Sequence, residues 1–192
     1  MIYGVCGLPG GGKSYFMSLQ ILDAVKKGRP VFSNYPMPGA YVLEFNDLAV
    51  SSFPEGSLLC IDEGSSWFRN RDWAKFPKEM FQFFMHHRHF KLDMVIISQM
   101  PTTLDVNIRD IVSYWVWADA MFLPFVKING QPRALWFRYT YYLTVEDVAK
   151  GKNHVKSYRK LAKQKIFRQF DSYYKFVELN RKPIKMRRWA DE

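Results

Sequence analysis

The chain of 192 residues is 48% hydrophobic and 24% charged, the make-up of a single domain with a proper core, which excludes wholesale disorder. Its formal charge of +10 is uneven, since residues 1–149 balance to zero and the whole excess lies in residues 150–192. Residues 115–128, the longest apolar stretch, are broken by Asp119, Pro124 and Lys127 and fall short of the roughly 20 needed to cross a bilayer.

Residues 2–7 read as a short buried strand ending in glycine, and residues 14–27 carry apolar positions at helical spacing up to the stop at Gly28. Residues 30–34 give a second short strand, 40–45 a third, and 57–62 a further apolar one. Phe76-Pro77 marks the start of a helix that runs to about Phe90. Residues 93–99 are the most strand-like segment, and 113–120 supply another strand. Past Phe122, Asn129-Gly130 predicts the turn of a hairpin whose second arm is 135–143. In the basic segment, Val155, Tyr158, Leu161, Ile166 and Phe170 recur at near-helical spacing and predict a basic helical tail. With residues 7–14, between the first strand and the first helix, fitting the phosphate-loop pattern G-x-x-x-x-G-K-[ST], the expected fold is α/β, a P-loop NTPase with a mainly parallel sheet covered on both faces and its working edge at the strand C-termini. The expected division is an ATPase domain over 1–149, with its core in about 1–120, and a basic extension over 150–192.

Gly7-Leu8-Pro9-Gly10-Gly11-Gly12-Lys13-Ser14 fits the pattern G-x-x-x-x-G-K-[ST] and lies between a strand and a helix, where a phosphate loop must lie. The glycines let backbone N–H groups curl round phosphate oxygens, with the helix N-terminus adding a favourable field. Lys13 would reach the β and γ phosphates of ATP, and the Ser14 hydroxyl would sit on Mg²⁺. The bland alternative is a glycine-rich turn with a chance lysine. In Leu58-Leu59-Cys60-Ile61-Asp62-Glu63 an apolar strand ends in two carboxylates. Asp62 would support the Mg²⁺ shell, and Glu63 would orient and deprotonate a water beside the γ phosphate. Gln99, closing its own strand, is the candidate γ-phosphate sensor. All three motifs meet at one edge if strand 93–99 inserts between the other two. That order also keeps Cys6 and Cys60 about 9 to 10 Å apart, beyond the roughly 7 Å limit for a disulfide. Two reduced cysteines in apolar runs, with no leader-like segment before Ile2, point to a reducing, cytoplasmic setting.

Asn34 closes the second strand and is read either as a plain turn asparagine or as a hydrogen-bond partner of Glu63. His86-His87-Arg88-His89 lacks a second Cys/His cluster, so metal binding is disfavoured against ordinary dipole capping at a helix end. Arg88 also has the chemistry to stabilise a transferring phosphoryl group in a neighbouring subunit, with Arg109 as the competing choice.

With these residues in hand the chain resembles the zonula occludens toxin (Zot) family, which includes assembly ATPases of filamentous phages. The resemblance rests on the 7–14 loop, on Cys60-Ile61-Asp62-Glu63, and most specifically on His87-Arg88-His89, Asp93, Gln99, Pro101, Leu104, Asn107, Ile108 and Arg109. It covers residues 1–120 well and the rest weakly, with Phe170-Asp171-Ser172-Tyr173 a further short match. It implies a motor ATPase that uses ATP and Mg²⁺, forms a ring homo-oligomer such as a hexamer, and drives phage DNA extrusion or packaging at the cytoplasmic face of the host inner membrane with other phage assembly proteins. Two features depart from the pattern: Phe90-Lys91-Leu92 stands where a glycine often follows His-Arg-His, and no transmembrane helix follows the domain. A toxin activity is not implied.

For the basic segment three readings stand: a solvated face, phosphate contact with DNA, or attraction to anionic lipid. For the whole chain, a motor ATPase competes with a nucleotide-gated DNA-binding or scaffold protein without efficient turnover and with a P-loop kinase. The kinase would need an acceptor pocket and an arginine-bearing lid that the sequence does not display.

Overall fold

The computed structural model describes residues 1–68, 78–128, 131–167 and 169. In chain order they form β1 (Ile2–Cys6), α1 (Lys13–Lys26), β2 (Val31–Ser33), β3 (Tyr41–Val42), α2 (Asp47–Val50), β4 (Leu58–Ile61), α3 (Gly64–Trp67), α4 (Lys78–His86), β5 (Asp93–Ile97), α5 (Val106–Ile111), β6 (Tyr114–Ile128), β7 (Gln131–Tyr142), α6 (Val145–Lys150), β8 (Lys156–Leu161) and α7 (Gln164–Phe167). The strands join one sheet in the order β3-β2-β4-β5-β1-β6-β7-β8. From β3 to β6 every pairing is parallel, and β7 and β8 are added antiparallel.

Short, mostly apolar strands form the centre because both sheet faces are covered. On β5, Val95 and Ile97 join the core beneath α1, while Met94 and Ile96 join the core beneath α4 and α5. The insertion of β5 between β4 and β1 matches the expected order. Cys60 and Cys6 are free and buried, and they face opposite cores, which separates them further than strand spacing alone.

Three expectations need correction or limits. The basic segment does not begin as a helix: Lys156–Leu161 is an edge strand paired with β7, and among the described residues only the short α7 follows it. An edge strand shows one apolar side at most, and only Tyr158 is half-buried there, so a three-residue apolar spacing mimicked a helix. β6 and β7 form a hairpin longer than expected, with register shifts after Met121 and Phe122. Its Asn129-Gly130 turn, the Phe76-Pro77 helix start, the 170–173 motif and the rest of the tail from 170 lie outside the described residues.

Candidate functional site

At the C-terminal edge of the parallel strands the motifs come together. The Gly7 amide donates to the Gln99 carbonyl at 3.2 Å, and the Ser98 amide donates to the Val5 carbonyl at 2.9 Å, fixing β1 against the end of β5. Leu8, Pro9 and Gly10 are exposed and form the open lip of the loop. Gly7 has φ 148, and a Cβ there would lie 2.2 Å from the Ala118 carbonyl oxygen. Gly12 has φ 94, and a Cβ there would lie 2.3 Å from the Phe137 ring. Both positions therefore need glycine for conformation and for space. Gly12 precedes α1, whose first turn has neither a side-chain cap nor an acidic residue. Its first amides are left for an anion, as a phosphate cradle requires.

Lys13 Nζ donates to the carbonyls of Gly7 (2.8 Å) and Leu8 (3.1 Å), across the loop it belongs to. Ser14 Oγ donates to Asp62 Oδ2 at 3.3 Å, joining the loop to the end of β4. Asp62 Oδ1 accepts from the Glu63 amide at 2.8 Å. Asn34 grips Asp62 from the other side: its Nδ2 donates to the Asp62 carbonyl (2.9 Å) and its Oδ1 accepts from the Asp62 amide (2.8 Å). Of the two readings of Asn34, neither describes this contact: its side chain clamps the Asp62 backbone, not the Glu63 carboxylate. Glu63 is half-buried with φ 50, a left-handed conformation that non-glycine residues rarely adopt. Gln99 has an exposed side chain at the same edge.

Burial lowers the Lys13 ammonium pKa, opposed by the Asp62 and Glu63 carboxylates. Burial raises the Asp62 carboxyl pKa, the Glu63 amide and Ser14 hydroxyl opposing it. Each member of this pair is short of counter-charge, so an anion beside Lys13 and a cation beside Ser14 and Asp62 would both be favoured. The residues fit a Mg²⁺–phosphate pair. Burial also pushes the Cys6 thiol up to about 12, which keeps it a neutral core group.

Neither arginine joins this edge. Arg88 is exposed in the turn between α4 and β5, at the N-terminal end of the strand whose C-terminal end meets the loop. Arg109 lies in the last turn of α5, just ahead of Ser113, whose amide bonds to the Ile2 carbonyl at the start of β1. The Arg109 Nε is buried and has no hydrogen-bond partner among the described residues. Other family-like positions are structural. His87 is buried with Nδ1 2.7 Å from the Phe84 carbonyl. Asp93 pairs with Arg29 (2.7 Å) and the Met1 amino group (2.6 Å), and Leu104 and Ile108 are fully buried.

Sequence reading missed the support beneath the loop. The Tyr139 hydroxyl donates to the Gly12 carbonyl at 2.9 Å, Phe137 lies under Gly12, and the Ala118 carbonyl lies under Gly7 and Gly11. The Tyr15 hydroxyl, in the first turn of α1, donates to the Leu161 carbonyl (2.8 Å) and accepts from the Lys163 amide (3.0 Å), tying the basic segment to the loop helix. The only sequence signal was the aromatic spacing of Phe137, Tyr139 and Tyr141. Among the described residues no cluster of His, Cys, Asp and Glu could hold a metal by itself, and no helix is long and apolar enough to cross a membrane.

A mainly parallel sheet with a glycine loop between its central strand and the next helix, and a carboxylate pair ending a strand two places away, places the chain among the P-loop NTPase folds. It matches the model of the family described as Zonular occludens toxin (Zot) over residues 42–175 and belongs to that family. The match begins beyond the 7–14 loop and reaches further toward the C-terminus than the resemblance read over residues 1–120. The solved N-terminal domain of zonular occludens toxin from Neisseria meningitidis is similar at a TM-score of 0.64 and 20% identity, over 88% of this chain and 98% of that one. The genome packaging NTPase B204 from Sulfolobus turreted icosahedral virus 2, in complex with ATP-gammaS, is similar at a TM-score of 0.54 and 11% identity, over 84% and 98%. A putative assembly protein, ORF301, of Pseudomonas phage Pf3 is 31% identical over an alignment of 123 residues that covers 58% of this chain and 40% of that protein's length.

Proposed function

We propose that this chain is the ATP-hydrolysing motor domain of a phage assembly machine that extrudes or packages DNA. The observation that carries the reading is the 3.3 Å contact between Ser14 and Asp62, with Glu63 next in the chain and the open 7–14 loop beside it. Gly7, Pro9 and Gly11 shape the loop, Gly7 and Gly11 with their amides bonded to the Gln99 and Leu8 carbonyls; the backbone amides of Leu8, Gly10 and Gly12 hold the phosphates, Lys13 leaves its loop carbonyls for the β and γ oxygens, and Ser14 and Asp62 hold Mg²⁺. Bound Mg²⁺ would neutralise charge building on the phosphates. Glu63 orients and deprotonates the attacking water, and Gln99 senses the γ phosphate from the end of β5. The β5 insertion is the arrangement of P-loop enzymes with a catalytic glutamate. That B204 was solved with ATP-gammaS supports ATP as the nucleotide.

A ring homo-oligomer supplies the missing arginine, Arg88 or Arg109, from a neighbouring copy. The basic residues past 150 contact DNA or the inner-membrane surface on the cytoplasmic side, beside other assembly proteins. The test is steady-state Mg·ATP hydrolysis over a protein concentration series. Lys13→Ala loses tight nucleotide binding, whereas Glu63→Gln keeps ATP bound and hydrolyses it about 10²-fold more slowly or worse. Hydrolysis at the wild-type rate in Glu63→Gln would overturn the catalytic assignment. Binding without turnover in the wild type at every concentration would favour a nucleotide-gated scaffold.

A further inference from the structure

The face of β6, β7 and β8 turned away from α1 carries a groove of about 650 Å³. Its floor is half-buried Trp117, register-paired with Thr140. Thr140 in turn pairs with Ser157, their hydroxyls 3.1 Å apart. One row nearer the edge of the 7–14 loop, Asp119, Arg138 and Arg159 lie side by side across the three strands. His154, in the connection from α6 to β8, lines the opposite wall.

The charges in that row do not balance. Arg138 and Arg159 are direct cross-strand partners, an arrangement that repels. Asp119 pairs with Arg138 at 2.6 Å, and among the described residues no carboxylate pairs with Arg159. No acidic residue occurs between Asp147 and Asp171, so the whole edge strand and its continuation are cationic. An anion between the two guanidinium groups would relieve the repulsion. The indole beside them offers a flat apolar surface, and the two hydroxyls offer hydrogen bonds.

From this juxtaposition we infer that the groove binds single-stranded nucleic acid, one base against Trp117 and the adjoining phosphate on Arg138 and Arg159. Stacking on an indole requires an unpaired base, which a duplex does not present. The unbroken run of positive charge past the groove favours a polymer over a free nucleotide. The groove lies on β6, the neighbour of β1, so a strand held there rests against the sheet that carries the phosphate loop. Its role as the motor's track rests on the function proposed above, but its ability to bind does not.

The experiment is fluorescence anisotropy of a labelled oligothymidylate of about 20 nucleotides with the full chain and no ATP, at several salt concentrations. Arg159→Glu is expected to weaken binding about tenfold and Arg159→Ala to reduce the salt slope by about 0.7, one phosphate contact. Lys165→Glu, the same charge change at an exposed site outside the groove, is expected to cost less than about twofold. Quenching of tryptophan fluorescence by the oligonucleotide disappears in Trp117→Phe. Equal losses for Arg159→Glu and Lys165→Glu would reduce the site to general attraction and overturn it. So would tighter Arg159-dependent binding of a duplex, or equal occupancy by AMP alone. Lys13→Ala keeps its oligonucleotide affinity, which separates failure of this site from failure of the ATPase reading.

Discussion

Glu63 holds φ 50 although a glycine, Gly64, stands next to it and could have taken the turn. A non-glycine residue in that region costs roughly 1–3 kcal/mol, and such strain gathers where a side chain must point in one direction. Here the direction is the loop edge, and the Glu63 carbonyl is held by Ser66 through its amide (2.7 Å) and hydroxyl (2.8 Å). Glu63→Gly should therefore melt above Glu63→Ala by about 2–4 °C for each kcal/mol of strain released. Equal melting temperatures would show that the backbone is not strained. The carboxylate pair and the glycine loop were legible in the sequence because both are local patterns whose chemistry depends on consecutive residues. Asn34 was legible only as a polar group at a strand end. Which atoms its amide meets depends on how β2 lies against β4, a long-range pairing, and the structure gives it the Asp62 backbone in place of the Glu63 side chain.

The turn between α4 and β5 shows how a motif can be structural and still set a site. The His87 imidazole ends the helix by bonding to the Phe84 carbonyl, the Leu92 amide donates to the His87 carbonyl at 2.9 Å, and the exposed Arg88 is carried between them. With Nδ1–H donated to a carbonyl, Nε2 is buried with no hydrogen-bond partner among the described residues. Burial holds His87 below its ordinary value of 6.5, against the opposing effect of the Phe84 hydrogen bond. The unfolded chain then takes up this proton before the folded one does, so stability is full above about pH 6.5 and falls as pH drops toward the lower folded value. Denaturation curves across that window should show wild type losing stability relative to His87→Gln by at most about 1.4 kcal/mol per pH unit. Parallel pH dependence in the two proteins would remove the buried neutral histidine. The parallel strands and α1 were readable from their apolar periods. The edge strand β8 was not, because it buries almost nothing on either side, and neither was the seat that Phe137 and Tyr139 give the loop, which exists only once the hairpin folds back beside β1.

For the molecule as a whole, the described residues place neither Arg88 nor Arg109 at the edge of the proposed phosphate loop and, at the opposite end of β5, leave Arg88 exposed without a partner among them. Met85 and Phe90, both about half exposed at 52% and 48%, flank Arg88 and give that end the apolar surface of a contact. A head-to-tail ring would bring this end of one copy to the loop edge of the next, since each heterologous interface pairs two different surfaces. Arg88→Ala should then reduce hydrolysis about 10³-fold or more while leaving ATP binding in place. Lys13→Ala subunits should be inactive for a different reason, having an intact arginine but no nucleotide. When the two are mixed in equal amounts, about a quarter of the interfaces join an intact loop to an intact arginine, and hydrolysis should recover in that proportion if sites act independently. The same mixture made with Arg109→Ala distinguishes the two candidates, because only the arginine that crosses the interface is rescued. Co-assembly is verified by labelling the two variants differently and measuring energy transfer. Mixed rings that form but stay inactive would show that Arg88 does not act on a neighbour, and recovery with Arg109→Ala alone would transfer the role to α5.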